Sequence, residues 1–522
     1  KSSPYAVTTD TELQNTEFDL LKKCIYVETD VEIAFKGALD NLKANEILFL
    51  CGSSGDGKSE ILTKYKKEYS QFIDFHLDAT HSFSAKTSAI QTMDSIFSNA
   101  KQSSRPLVVG INIGMLGNYE RDGSDGHAVI KTSIKEFLSK NNSLTVGTVS
   151  FINFESFPKF KFEGEEIKSE FFSALLDRVV RDDSRNAFTP YFNEAIADKK
   201  DPQLVDNYSL LRDKAVQKTI IDLLLSARIK KDQFITARML LDFIYCILTG
   251  PKTLFDNLFN SGDNELLSVI AEFDPAKIRN KEIDQFILHH DLELHGNDFN
   301  NFVEEVSNKY DLFDNLSELK ACSLLRMFYV LRFSNFDSYF VKIFNESFKD
   351  TGLELYKSIW SAHHSFDGNS DKKDLKRIYE ALIKPAIRLY INRNEPNLPK
   401  TEYFLSSHGD NFLSTEIDIS INYDALKKEA GLDLTHFNLH LKIAGEPLLP
   451  IPVSVNLLTL MLNIVSGYRP NKHDKNSVVL LEELANHIVS LGVSSDLLNL
   501  HVKGRPIKLR NTQEGEIEVS GI

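Results

Sequence analysis

At 522 residues the chain is too long for a single hydrophobic core, and it predicts roughly two to four domains of about 100–250 residues each. A composition of 42% apolar and 26% charged residues, with a mean hydropathy of -0.23, excludes global disorder, and no window approaches the roughly 18 consecutive apolar residues of a membrane-spanning helix. The 60 basic against 74 acidic residues, net charge -14, exclude a surface that grips phosphate backbones by charge all over.

Residues 1–44 read as a helical lead-in, with Leu20, Leu21, Ile33, Phe35 and Leu42 among acids and lysines. The run "EILFLC" that follows has the length and continuous apolarity of a strand buried on both faces of a parallel sheet. Its partner helix is "SEILTKYKKEY". A second strand is predicted in "FIDFHLDAT", with a returning helix in "SAKTSAIQTMDSIF"; a third lies in "PLVVGINIGML" from Pro106 and a fourth in "LTVGTVSFINF" from Leu144. Strand and helix alternate through this stretch, which predicts a doubly wound α/β domain over 45–165. Helical periodicity then dominates, giving a helical lid over 166–260 and a helical domain over 261–395. Strand-like segments return around helices in 396–522, as in "STEIDISINY" and "LLNLHVKGRPIKL", and predict a closing α+β module. The N-terminal "KSSPYAVTTDTELQ" lacks the apolar core of a secretory signal. Cys24, Cys51, Cys246 and Cys322 are far apart and unpaired in motif, as expected of thiols in a reducing cytoplasm.

The chemistry concentrates in Gly52-Ser-Ser-Gly-Asp-Gly-Lys58-Ser59, which fits G-x-x-x-x-G-K-[ST] at every position, with a strand before it and a helix after it. Glycines allow positive φ and close approach of backbone N–H groups to phosphate oxygens, and the helix N-terminus adds favourable charge. The expected nucleotide-binding set is Gly52, Ser54, Gly55, Asp56, Gly57, Lys58, Ser59 and Glu60, with Lys58 on the phosphates and the Ser59 hydroxyl on magnesium. The fold class is therefore an α/β P-loop NTPase domain, parallel-sheeted and AAA+-like, and the cofactors are ATP and magnesium.

Hydrolysis needs an acid near the end of a neighbouring strand, and "LVVGINIG" offers Asn112 there instead. Asp78 and Glu155 are the nearest acidic substitutes; Glu155 reads equally well as a strand-end or capping residue, and Asp78 reads more readily as one than as the missing acid. Arg238, in the first turn of a lid helix, suits a phosphate-sensing arginine or a surface partner of Asp242. Asn112, Glu155 and Arg238 are thus the catalytic candidates. Arg178, Arg181 and Arg185 read as a solvated basic helix end before an arginine finger. His289, His290 and His295, like His363 and His364, match no defined metal-ligand spacing and read as helix-end histidines. The segment from Arg469 to Arg510 carries seven Lys/Arg against four acids, suited to nucleic acid or an acidic partner, or to two ordinary solvated loops.

The strings "LCGSSGDGKSEIL", "VVGINIGML", "TARMLLDFIY" and "SGYRPNKHDKNSVVLLEELANHI" resemble the DptF family, the P-loop subunits of bacterial systems that restrict DNA lacking phosphorothioate modification. The resemblance spans most of the chain. It implies a cytoplasmic ATPase working with partner subunits, one of them a larger helicase-like ATPase, on unmodified DNA. It carries over to Gly52, Gly57, Lys58 and Ser59 as the nucleotide site, and it leaves the acid open because Asn112 departs from the general P-loop pattern. No nuclease site is visible. Two other readings stay open: a nucleotide-stabilised scaffold with weak or no hydrolysis, and an AAA+-like ATPase that does not act on DNA. Direct DNA contact belongs with the restriction reading, and self-association into a homo-oligomer is compatible with each ATPase reading.

Overall fold

The computed structural model describes residues 16–79, 88–103, 105–140, 143–163, 166–262, 264–312, 316–368, 372–431, 436–470, 474–502, 505–511 and 517–521. The chain forms two compact units. One holds the residues up to Phe160 together with Ser169–Phe348, and the other holds Lys161–Lys168 and Lys349 onward.

The first unit is built on a five-stranded sheet of β1 (Ile47–Cys51), β2 (Asp74–His76), β3 (Leu107–Ile111), β4 (Leu144–Val146) and β5 (Val149–Asn153), ordered β2-β3-β1-β5-β4. All pairings are parallel except β4 with β5. Alternate residues of each long strand point to opposite faces, and both faces are covered. Phe49, Cys51, Val109, Ile111 and Phe151 pack under α4 (Ala89–Gln102), α5 (Ile113–Asp122) and α6 (Ala128–Lys140). Leu48, Leu50, Val108 and Ile152 pack under α2 (Asp30–Asp40) and α3 (Lys58–Tyr69). This double coverage explains why "EILFLC" shows no polar alternation. A helix α1 (Thr16–Ile25) precedes α2 in the described part of the lead-in; residues 84–87 of the expected second helix lie outside the described residues.

The single fourth strand expected from Leu144 is instead an antiparallel hairpin. Gly147, at φ +62°, opens a two-residue turn that pairs Val146 with Val149. Glycine at the first turn position supplies the positive φ that such hairpins require, and only β5 continues the parallel sheet. Beyond the sheet the first unit is helical, including Glu170–Val180, Lys214–Lys231, Ala237–Thr249 and Ala321–Val330.

The second unit contains an antiparallel sheet in which Ile517–Ser520, Arg505–Asn511, Leu497–Val502, Asn411–Glu416 and Glu402–His408 lie side by side in that order. Helix Lys475–Val493 packs on it, with helix Val455–Val465 alongside. Among the described residues no helix is long and apolar enough to cross a membrane.

Candidate functional site

The carboxyl ends of β1, β3 and β5 are level, with Cys51 in register with both Ile111 and Asn153. The crevice outside such strand ends is where open α/β sheets take ligands. The Gly52 amide donates to the Ile111 carbonyl (3.3 Å), and the chain then turns sharply into α3. Gly55 (φ +85°) and Gly57 (φ +101°) occupy the left-handed region, and Gly57 is the residue from which α3 starts. A Cβ on Gly52 would sit 2.9 Å from the Phe154 ring and 3.0 Å from an Asp56 carboxylate oxygen, so the turn closes only on glycine.

Lys58 folds back over this turn, its ammonium donating to the carbonyls of Gly52 (2.8 Å) and Ser53 (2.5 Å). Burial pulls it below the ordinary lysine value, opposed by the carboxylates of Asp56 and Asp78. Ser59 and Glu60 are half-buried in the first turn of α3, and Ser54 is exposed at the tip. Asp56 is buried beneath the turn, where its Oδ2 accepts the Ser53 amide (2.6 Å) and its Oδ1 lies 3.6 Å from Lys159 Nζ. Burial raises the Asp56 carboxyl, opposed by Lys159. The sequence reading missed Lys159 altogether, because nothing in its neighbourhood signals a partner in the glycine turn.

Arg238 does reach the turn. It is the second residue of helix Ala237–Thr249, half-buried, and its amide donates to the Gly55 carbonyl (3.3 Å). Thr236 caps that helix by accepting the Met239 amide, and its Oγ1 lies 3.1 Å from where a Gly55 Cβ would stand.

Asn112 sits at the end of β3 as the cap of α5, its side-chain oxygen accepting the Met115 amide (2.6 Å). Glu155 is exposed on the short turn after β5, its amide bonded to the Asn153 side chain (3.2 Å). Asp78 is half-buried just beyond β2, held by the bond from the Ala79 amide to the Gly110 carbonyl (2.9 Å), and its charge acts on Lys58. Of the two acidic candidates, Asp78 and not Glu155 is the one whose charge acts on Lys58.

Arg181 and Arg185 both engage Asp183, with Nε at 3.5 Å and Nη2 at 2.5 Å respectively. His290 and His295 are hydrogen-bonded to each other (2.5 Å) and packed on Phe286 and Phe299. Among the described residues no group of three or more His, Cys, Asp or Glu is arranged to hold a metal ion. Lys508 and Arg510 share one face of the C-terminal sheet, Arg510 opposite Glu518, while Lys472 and Lys503 lie outside the described residues.

His363 is a buried structural histidine. Its Nδ1–H donates to the Ile359 carbonyl (2.7 Å), its Nε2 accepts from the Tyr379 hydroxyl (3.1 Å), and burial pushes its pKa down to about 4. The fold therefore holds the neutral ring. That contribution is complete above the unfolded value of 6.5 and is lost as pH falls toward about 4. Urea unfolding of the wild type is expected to lose about 2 kcal/mol between pH 7 and pH 5 from this group, and His363→Gln to flatten that slope. An unchanged slope in the variant would assign the acid sensitivity elsewhere.

Comparison of the chain with protein-family models, with curated proteins and with solved structures returned no match.

Proposed function

We propose that the chain is an ATP-binding and ATP-hydrolysing P-loop subunit of a bacterial DNA restriction complex that attacks DNA lacking phosphorothioate modification. The observation that carries the nucleotide half is the Gly52–Ser59 turn at the carboxyl end of a central parallel strand, with two positive-φ glycines and Lys58 lying on the turn's own carbonyls. The residues present fit a nucleotide polyphosphate. Lys58 would exchange the Gly52 and Ser53 carbonyls for phosphate oxygens, the amides entering α3 would donate to the anion, and the Ser59 hydroxyl would hold magnesium. Bound ATP with magnesium supplies the phosphoryl group passed to water and the cation that offsets its charge. The restriction half rests on the family resemblance of the four strings. With it come a cytoplasmic location, a larger helicase-like ATPase as partner, and DNA met directly or through the complex.

In this reading Arg238 senses the phosphate at Gly55, and Asp78 supplies the charge that Asn112 lacks. Asp78→Asn is expected to lower ATP turnover at least about 100-fold while nucleotide affinity stays within a few-fold, and Glu155→Gln to change turnover little. Steady-state turnover together with calorimetric titration of magnesium-ATP tests this, and wild-type turnover in Asp78→Asn would remove Asp78 from the role.

One observation favours the scaffold alternative: the Asn112 oxygen is committed to capping α5. If the chain only binds nucleotide, Asn112→Asp, an equally good cap, changes nothing measurable. Turnover stimulated by duplex DNA and lost with Lys58→Ala would exclude that alternative.

A further inference from the structure

We infer that Lys159 is a positioning residue of the phosphate site: it carries the counter-charge for Asp56 beneath the glycine turn and ties that turn to the head of helix Ala237–Thr249. The inference rests on the reading of Gly52–Ser59 as a phosphate turn.

Asp56 is an awkward residue for such a place. Its side chain is 1% exposed, only one of its oxygens is hydrogen-bonded, to the Ser53 amide, and the other has no hydrogen-bond partner among the described residues. A buried carboxylate beneath an anion site repels the anion unless a cation offsets it. Lys58 cannot serve that purpose once it turns toward a phosphate. Among the described residues the other cation acting on Asp56 is Lys159, with its Nζ 3.6 Å from the bare Asp56 oxygen and its side chain 24% exposed.

The same ammonium has a second attachment. It donates to the Ile235 carbonyl (2.6 Å) and stands 5.2 Å from the centre of the Phe234 ring. Ile235 immediately precedes Thr236, the cap of the helix whose Arg238 amide bonds the Gly55 carbonyl. Turn and helix head are therefore joined twice, directly at Gly55 and through Asp56, Lys159 and Ile235. A change in the turn on phosphate binding is passed to the helix through a buried charge pair, which holds its geometry better than a lone exposed contact.

The test uses the full chain as wild type, Lys159→Met, Asp56→Asn and the double variant, each measured by calorimetric titration with magnesium-ATP and by amide hydrogen exchange without nucleotide. Lys159→Met leaves Asp56 uncompensated, and its affinity is expected to fall roughly 10–100-fold. Adding Asp56→Asn removes the buried charge while keeping the backbone amide of residue 56 and an oxygen for the Ser53 amide, and should recover most of the affinity lost in Lys159→Met. Without nucleotide, residues 235–240 exchange faster in both Lys159→Met proteins, because the bond to Ile235 is gone in each. Wild-type affinity in Lys159→Met, no recovery in the double variant, or unchanged exchange over 235–240 would each overturn the inference. If Lys159→Met does not fold, the double variant, which buries no unpaired charge, is compared with Asp56→Asn by exchange and decides alone. If the wild type binds no nucleotide, the phosphate-site reading fails, and the exchange data still report whether Lys159 joins the turn to the helix.

Discussion

Lys58→Ala is expected to weaken binding of magnesium-ATP by at least about 100-fold and to lose nearly all of the ATP-dependent thermal stabilisation expected of the wild type. The lysine ammonium already lies over the turn, bonded to the carbonyls of Gly52 and Ser53, so little rearrangement separates it from a phosphate oxygen. An ammonium–phosphate bond pairs opposite charges and is stronger than the ammonium–carbonyl bonds it replaces. At ATP concentrations about 100 times the dissociation constant, ligand linkage stabilises the wild type by roughly 2.7 kcal/mol, and a variant with about 100-fold lower affinity retains only a few tenths. The nucleotide-free protein should change far less. Removing the lysine forfeits two bonds from its ammonium to carbonyls, each worth about 1.5–3 kcal/mol, but it also removes a half-buried charge whose burial is unfavourable and offsets much of that loss. Calorimetry and thermal denaturation with and without magnesium-ATP check both halves. Equal ATP-dependent stabilisation in the two proteins would reject the nucleotide site. In cells, intact restriction with Lys58→Ala would reject the proposed role in restriction while leaving binding open.

The glycine turn was legible because its signal is local. Gly52, Gly55, Gly57, Lys58 and Ser59 are neighbours in sequence as well as in space, and the apolar run before them has one physical interpretation when both faces of a strand are covered. The hairpin at Gly147 was hidden in a run whose composition suits one strand as well as two. Only the positive φ at that glycine separates the cases, and composition does not report φ. Arg238 could be placed in the first turn of a helix but not beside Gly55, since periodicity predicts a face without naming what lies opposite. Lys159 fell outside the reading for the same reason. Its partners Asp56 and Ile235 come from two other elements, and a lysine in "FPKF" carries no mark of burial.

Arg326→Met is expected to be the most destabilising single change in the helical part of the first unit, by about 3–5 kcal/mol. Arg326, on helix Ala321–Val330, holds Asp274 with two bonds (Nε to Oδ1, 3.0 Å; Nη2 to Oδ2, 2.6 Å) and Asp256 with a third (Nη1 to Oδ1, 2.7 Å). Its partners are almost wholly buried, with side-chain exposures of 8% for Asp256 and 4% for Asp274. Ser323 donates to the remaining Asp256 oxygen (2.7 Å), and Asp274 also accepts the Ala276 amide (3.0 Å). The two carboxylates hold the guanidinium charged, Asp274 foremost. Methionine fills the space of the arginine stem but leaves two buried carboxylates without their cation, and this residual charge is the larger part of the cost. Two further measurements separate charge from packing. Arg326→Lys keeps the cation but loses the paired bonds to Asp274, and should fall between wild type and methionine. Adding Asp256→Asn and Asp274→Asn to Arg326→Met removes the stranded charges and should recover part of the loss. In urea denaturation, Arg326→Met within about 1 kcal/mol of wild type would mean that water reaches and solvates the two aspartates, contrary to their burial.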